Sequence, residues 1–168
     1  MLRRKKTKIA ALLLSIFILF IVPFNFNPYD VGLYENCPLH CRLLFHFFHA
    51  NFIHAFLNVW CFLSCVFLAE MSISQILIAY IIACTVPFMA DLPTIGLSGV
   101  CYALLGNIMI YSKSKINFNC IILISILVPY VLMHNSVNSE LHGYCYICGI
   151  IARMIMKLIK CRKRQKTY

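Results

Sequence analysis

The stretch FNCIILISILVPYVLM, residues 118–133, contains no charged side chain and is rich in Ile, Leu and Val. Its length approaches what an α-helix needs to cross the hydrocarbon core of a bilayer. Five further apolar runs flank it, at 9–24, 52–69, 73–90, 98–111 and 141–159. The six runs predict an all-α, polytopic membrane protein with six transmembrane helices.

The overall composition leads to the same class of protein. The 168 residues are 62% hydrophobic and 12% charged, with a mean hydropathy of +0.84. A soluble domain of this size does not bury so large an apolar fraction. We therefore predict a basic cytoplasmic N-terminus at 1–8, one six-helix domain at 9–159 and a basic cytoplasmic tail at 160–168. The first run lacks a small-residue cleavage site, so we expect a retained helix rather than a signal peptide.

The positive charges predict the orientation of the chain in a membrane. Five of the fifteen Lys and Arg residues precede the first run, two lie between the fourth and fifth, and seven lie in or after the sixth. Six crossings put these fourteen on one side, where cytoplasmic loops collect them. Arg42 falls on the opposite side with four acidic residues: Asp30, Glu35, Asp91 and Glu140. The net charge of +10 is thus explained by topology and lipid contact, and we expect no nucleic-acid partner.

The connection after the first run contains a cluster of Cys and His residues. Cys37 and Cys41 are compatible with a disulfide, or with a metal site completed by His46 and His49. No second Cys pair at standard spacing supports a metal, so we expect none. His46 is expected at the membrane interface together with His134, whereas His49 is expected to brace the connection.

Polar side chains in the apolar runs fall in one layer of the predicted bilayer. Ser98 and His142 lie fifteen residues before Lys113 and Lys157, so each is roughly 22 Å above the cytoplasmic interface. His54 and Asn58 lie roughly 24 and 18 Å above Glu70 by the same helical rise. Polar groups at such depth are costly and mark functional sites. The four side chains are therefore expected to meet.

Small residues predict close packing of the fourth and sixth runs. They recur at i, i+4 and i+7 in both runs: Gly99, Ala103 and Gly106 in one, and Cys145, Gly149 and Ala152 in the other. Such stripes let membrane helices approach closely. Close approach is what a direct contact between Ser98 and His142 requires.

These residue types suit nucleophilic catalysis. A serine hydroxyl becomes an effective nucleophile when a neighbouring base takes its proton, and His142 is the candidate base for Ser98. Only Glu140 among the carboxylates lies near the predicted layer, so a Ser–His dyad is expected rather than a triad. His54 and Asn58, one helical turn apart, can donate to an oxyanion together with the Ser98 N–H.

One more side chain completes the predicted site. Tyr102 follows Ser98 by one helical turn, so its ring can stack on His142 and orient the imidazole.

At these residues the chain resembles the rhomboid intramembrane serine proteases in their minimal six-helix form. GLSGVCYAL at 96–104 is similar to the family's GxSGxxYAL nucleophile motif, and HANFIHAFLN at 49–58 is similar to its second-helix HxxxN pattern. The resemblance implies Ser98 as nucleophile and His142 as base, with Tyr102 packed on the imidazole. It also implies His54, Asn58 and the Ser98 amide as the oxyanion hole, and Gly96 as part of the site's packing.

The resemblance carries further expectations. It implies peptide-bond hydrolysis in membrane-protein clients with a helix-destabilised transmembrane segment, without cofactor or metal. It also implies a bacterial inner (plasma) membrane location, a site opening to the outer side, and a gate formed by the fifth helix and the loop after it. One departure is Cys145, which stands where the family usually has glycine.

Two other function classes are compatible with a small polytopic protein. A rhomboid-like pseudoprotease would hold transmembrane clients without cutting them, but it need not keep both Ser98 and His142. A metal or solute transporter could use Cys37, His49 and His54, but it predicts an internal repeat, and none is visible in the sequence.

Overall fold

The computed structural model describes residues 2–22, 24–87, 92–132 and 137–165, to which every structural statement below refers. These residues form eight helices: α1 (Leu2–Ile21), α2 (Pro28–Val31), α3 (Leu39–Leu44), α4 (Phe52–Leu68), α5 (Ile73–Cys84), α6 (Ser98–Met109), α7 (Lys115–Leu132) and α8 (Ser139–Gln165). Extended pairing within the described ranges is limited to an isolated bridge between Leu33 and Thr94. The predicted all-α class is confirmed for this part of the chain.

The six longer helices correspond to the six predicted runs, with different ends. Prediction of the third run as 73–90 was wrong at its end, because α5 stops at Cys84 and residues 85–87 are not helical. The residue before a proline is disfavoured in the helical region, and Pro87 follows closely. Conversely, α8 extends through the basic tail to Gln165, because Lys and Arg are good helix formers. Asp91, which we predicted on the outer side, and His134, which we predicted at the membrane interface, lie in residues 88–91 and 133–136. Both stretches are outside the described ranges.

One described helix, α7, is both long and apolar enough to cross a membrane, while α4, α5 and α6 are apolar but shorter. The exposed side chains of α7 include Ile116, Ile121, Val131 and Leu132, each at least 66% exposed. Only Ile122 and Ile126 of this helix are buried.

Helices α6 and α8 make the closest contact in the bundle, which we call the α6–α8 seam (Gly99, Ala103, Gly106, Cys145 and Gly149). A Cβ placed on Gly106 would lie 2.2 Å from the Tyr146 carbonyl oxygen, and one on Gly149 would lie 2.2 Å from that of Ala103. Only glycine permits such backbone contact. The Cys145 thiol lies 3.4 Å from the equivalent point on Gly99, so this side chain fills space beside the seam without separating the helices.

The connection between α1 and α4 is fastened to the segment that precedes α6. Leu33 and Thr94 exchange two backbone hydrogen bonds of 2.8 Å, and the Gly96 N–H donates to the Phe45 carbonyl at 2.8 Å. Arg42 donates to the carbonyls of Cys84 and Val86 at the end of α5. The start of α6 is therefore held from outside the bundle as well as from within it.

His46, which we expected at the membrane interface, packs inside the protein. Its side chain is fully buried, its ring centroid lies 4.9 Å from that of Tyr80, and its Nε2 lies 3.3 Å from the Cys84 thiol. Burial lowers the pKa of His46 to about 3, so the imidazole is neutral near pH 7. A neutral ring can pack among aromatic side chains in the interior.

Candidate active site

Ser98 is the first residue of α6, so its position is set by a helix start. The first N–H groups of a helix have no intrahelical acceptor, and the positive end of the helix dipole points at the same place. Gly96, two residues earlier, has a φ of +126°, a conformation that side-chain-bearing residues rarely adopt. The tight turn at Gly96 brings the Ser98 hydroxyl to the top of the seam.

His142 lies one turn inside the N-terminal end of α8 and contacts Ser98 directly. Its Nε2 is 2.9 Å from the Ser98 Oγ, although 44 residues separate the two in sequence. A hydroxyl that donates to Nε2 requires the proton of the neutral ring to be on Nδ1. The ring is buried, and its Nδ1 has no hydrogen-bond partner among the described residues.

Tyr102 packs flat against the imidazole. The two ring centroids are 4.3 Å apart and the planes differ by 20°. Glu140 is exposed, and no Asp or Glu occurs among the described residues that line the cavity above the pair. Among the described residues, the imidazole that contacts Ser98 is therefore packed against an aromatic ring rather than paired with a carboxylate.

His54 and Asn58 lie on the α4 side of Ser98. A Cβ on Gly96 would be 3.0 Å from the His54 Nε2 and 3.4 Å from the Asn58 Nδ2, so the absence of a side chain at Gly96 lets both approach. The Asn58 Nδ2 is buried and has no hydrogen-bond partner in the part of the chain that the structure describes. Buried donors are normally satisfied, and an unpartnered donor beside a nucleophile is available for a developing negative charge.

The Ser98–His142 pair forms the floor of a cavity of about 510 Å³. The volume is within the range of ligand sites. Its walls come from α4, α6, the start of α8 and the connections: Pro28, Ala50, His54, Asn58, Leu92, Pro93, Thr94, Ile95, Ser98, Tyr102, Val137, Asn138 and His142.

His49 supports the site from the first connection. Its Nε2 accepts a hydrogen bond of 3.2 Å from the Leu97 N–H, immediately before Ser98. Burial, together with the nearby His54 ring, lowers the pKa of His49 to about 4. The ring is therefore neutral near pH 7 and can act as the acceptor that this contact requires.

The alternative metal site in this connection is not assembled. No three His, Cys, Asp or Glu side chains of the described ranges converge as a ligand set. Cys37 and Cys41 are both free thiols, and the Cys41 thiol lies 3.4 Å from the Asp30 carbonyl.

Sequence reasoning missed Asn138 at the rim of the cavity. Its Oδ1 accepts from the Leu141 N–H at 2.9 Å, and its Nδ2 donates to the Thr94 hydroxyl at 3.1 Å. It caps the helix that carries His142 and joins that helix to the segment before Ser98. Asn immediately before a helix start is a recognisable capping signal, so the first role was readable from the sequence.

Comparison with known proteins adds no relative to this description: no protein-family model, no curated protein and no solved structure matches the chain.

Proposed function

We propose that this protein is a rhomboid-type intramembrane serine endopeptidase that uses a Ser98–His142 dyad. The observation that carries the proposal is the 2.9 Å contact between the Ser98 Oγ and the His142 Nε2 in the wall of a cavity that His54 and Asn58 also line. The stacked Tyr102 and the unpartnered Asn58 donor supply the two other parts that such chemistry needs.

In the first half-reaction, the Ser98 Oγ attacks the carbonyl carbon of the scissile peptide while the His142 Nε2 takes the hydroxyl proton. The oxyanion accepts hydrogen bonds from the Asn58 amide, the His54 ring and the Ser98 N–H. His142 then gives its proton to the leaving amine as the C–N bond breaks. An acyl ester on Ser98 and a free amine remain.

The second half-reaction returns the enzyme to its starting state. A water molecule loses a proton to His142 and attacks the ester carbonyl within the same donor set. The C–O bond to Ser98 breaks, the hydroxyl regains its proton from His142, and the carboxylic acid product leaves. No metal or cofactor takes part in this mechanism.

The exposed surface supports a bilayer as the protein's environment. Large apolar side chains are exposed along α1, α4, α7 and α8, among them Phe20, Trp60, Val131 and Leu158, each at least 65% exposed. Contiguous apolar surface on this scale is uncommon in soluble monomers. We infer six crossings by α1, α4, α5, α6, α7 and α8, with both termini cytoplasmic and the cavity facing the outer side.

The inferred substrates are membrane proteins with a helix-weakened transmembrane or juxtamembrane segment. A peptide bond inside a stable helix cannot reach Ser98, because the carbonyl is held in the helical hydrogen-bond ladder. Gly, Pro or polar residues near the cut are therefore expected in clients.

The test is cleavage of a transmembrane reporter by the purified protein in proteoliposomes, together with labelling by a small fluorophosphonate. Ser98→Ala and His142→Ala should abolish both signals, while Ser15→Ala in α1 and the exposed His40→Ala serve as matched controls that keep them. Reporter cleavage by Ser98→Ala would reject the proposal. A wild-type chain that retains the reporter uncut and unlabelled would point to a client-binding protein instead.

A further inference from the structure

Helix α7 contains a local defect in its hydrogen-bond ladder. Pro129 lies inside the helix and has no N–H, so the carbonyl of Ser125, four residues earlier, loses its helical donor. An acceptor freed in this way within a membrane protein must be satisfied by a neighbouring group.

The donor that meets Ser125 is the hydroxyl of Tyr102. It lies 3.3 Å from the Ser125 carbonyl oxygen and 3.0 Å from the Ser125 Oγ. The Ser125 hydroxyl itself donates to the Ile122 carbonyl at 2.7 Å, so its proton is committed and Tyr102 is the donor in both contacts. Because of Pro129, Ser125 therefore offers two acceptors to the Tyr102 hydroxyl: its carbonyl oxygen and its Oγ.

The other end of Tyr102 touches the base. Its ring is the one stacked on His142, whose Nδ1 has no hydrogen-bond partner among the described residues. In a triad a carboxylate on this nitrogen holds the imidazole in place. Here the stacked ring does so, and the ring is held in turn by α7.

We propose that Ser125 is a positioning residue for the dyad: through Tyr102 it makes the orientation of His142 depend on how α7 is seated. This inference rests on the proposed function of the Ser98–His142 pair. Displacement of α7 breaks the Tyr102 contacts and loosens the base, whereas reseating of α7 restores it. The nucleophile is therefore most reactive when α7 is docked.

The experiment measures the rate at which a small fluorophosphonate labels Ser98, because such a probe reports the dyad without requiring a client to pass α7. Tyr102→Phe should slow labelling about three- to ten-fold, the range expected for one net hydrogen bond. Ser125→Ala leaves the carbonyl in place, so a smaller loss of about two- to five-fold is expected. Ser125→Thr keeps the hydroxyl and should label at the wild-type rate.

Combined variants separate positioning from general damage. Ser125→Ala with Pro129→Ala removes the side-chain acceptor and restores an internal donor to the carbonyl, so it should match Tyr102→Phe. Adding Ser125→Ala to Tyr102→Phe should cause no further loss, because no hydroxyl remains for Ser125 to bind.

The matched control is the second polar contact of α7, in which the Tyr146 hydroxyl donates to the Asn119 Oδ1 at 2.5 Å without touching His142. Asn119→Ala removes a polar contact of α7 but leaves the Tyr102–Ser125 contacts in place, so the labelling rate should be unchanged. Equal slowing by Asn119→Ala and Ser125→Ala, or additive losses in the double variant, would overturn the inference. Absence of labelling in the wild-type protein would instead refute the proposed function.

Discussion

The α6–α8 seam and α7 are held by opposite kinds of contact. The seam joins two helices through backbone atoms at Gly106 and Gly149, where a single methyl group would collide with a carbonyl oxygen. By contrast, α7 buries only Ile122 and Ile126 and adds polar contacts at Ser125 and Asn119. Ser98 and His142 therefore lie on the two closely packed helices, which form the rigid part of this comparison, whereas α7, beside Tyr102, is held by fewer buried side chains.

The largest effect should come from breaking the seam. Gly149→Val places side-chain atoms on the Ala103 carbonyl and should lower the free energy of unfolding by about 3 kcal/mol or more, with loss of fluorophosphonate labelling. Thermal unfolding in detergent measures the change in stability.

The control for this prediction is Gly143→Ala in the same helix. A Cβ at Gly143 meets nothing within 4 Å. This variant should gain about 0.5–1 kcal/mol from helix propensity. Equal destabilisation by both variants would show that α8 is sensitive to any substitution. The close backbone contact at Gly149 would then not explain the loss of stability.

The next largest effect concerns the chemistry on the rigid side. Asn58→Ala removes a buried donor that has no partner, so folding should be little changed while turnover of a reporter falls about ten- to a thousand-fold. Steady-state kinetics in proteoliposomes should assign the loss to kcat. A normal kcat would remove Asn58 from the oxyanion hole.

Acid should lower the free energy of unfolding through His49, whose ring accepts the hydrogen bond from the Leu97 N–H just before α6. Burial lowers the pKa of this ring to about 4 in the folded protein, whereas the pKa in the unfolded chain is about 6.5. Between these two values the unfolded chain binds a proton at His49 and the folded chain does not. The contribution of this group to stability should be complete above about pH 7 and fall by about 1.4 kcal/mol per pH unit as the pH drops toward 4. The Tm measured against pH should show a shallower slope in His49→Gln than in the wild-type protein. Identical slopes in the two proteins would contradict the assignment.

The smallest effect is expected on the outer face of α7. Ile124→Ala, at a side chain 59% exposed, should change the free energy of unfolding by less than about 0.5 kcal/mol. Ile122→Ala, on the buried face, should cost about 1–2 kcal/mol, less than in a water-soluble core because lipid replaces the hydrophobic term. Similar losses at both positions, measured by thermal unfolding, would mean that α7 is packed more tightly than its contacts indicate.

The long helices could be predicted from the sequence, whereas the short ones could not. Polar flanks mark the ends of an apolar run, and the predicted run 52–69 therefore differs from α4 by a single residue. The short helices α2 and α3 were not predicted, since helices of this length depend on tertiary contacts rather than on their own propensity.

Within the site, the residues and the contacts of His142 with Ser98 and Tyr102 were predicted from the sequence, whereas the supporting contacts were not. Ser98, His142, Tyr102, His54 and Asn58 are unusual types in apolar runs and can be recognised from the chain alone. Ser125 looks like a small polar residue in a lipid-facing helix, and its role depends on a partner 23 residues away. The burial of His46 against Tyr80 was not predicted, because it depends on a tertiary contact with no local signal in the sequence.

The pairing of Leu33 with Thr94 and of Ser98 with His142 has a consequence for synthesis. Each joins segments far apart in the chain, and α8, which carries the imidazole, is translated after α6. A nascent polypeptide that has inserted α6 thus holds an inert hydroxyl until α8 arrives. Under the proposed function, cleavage would require both α6 and α8, so a product truncated before α8 would cut no neighbouring protein.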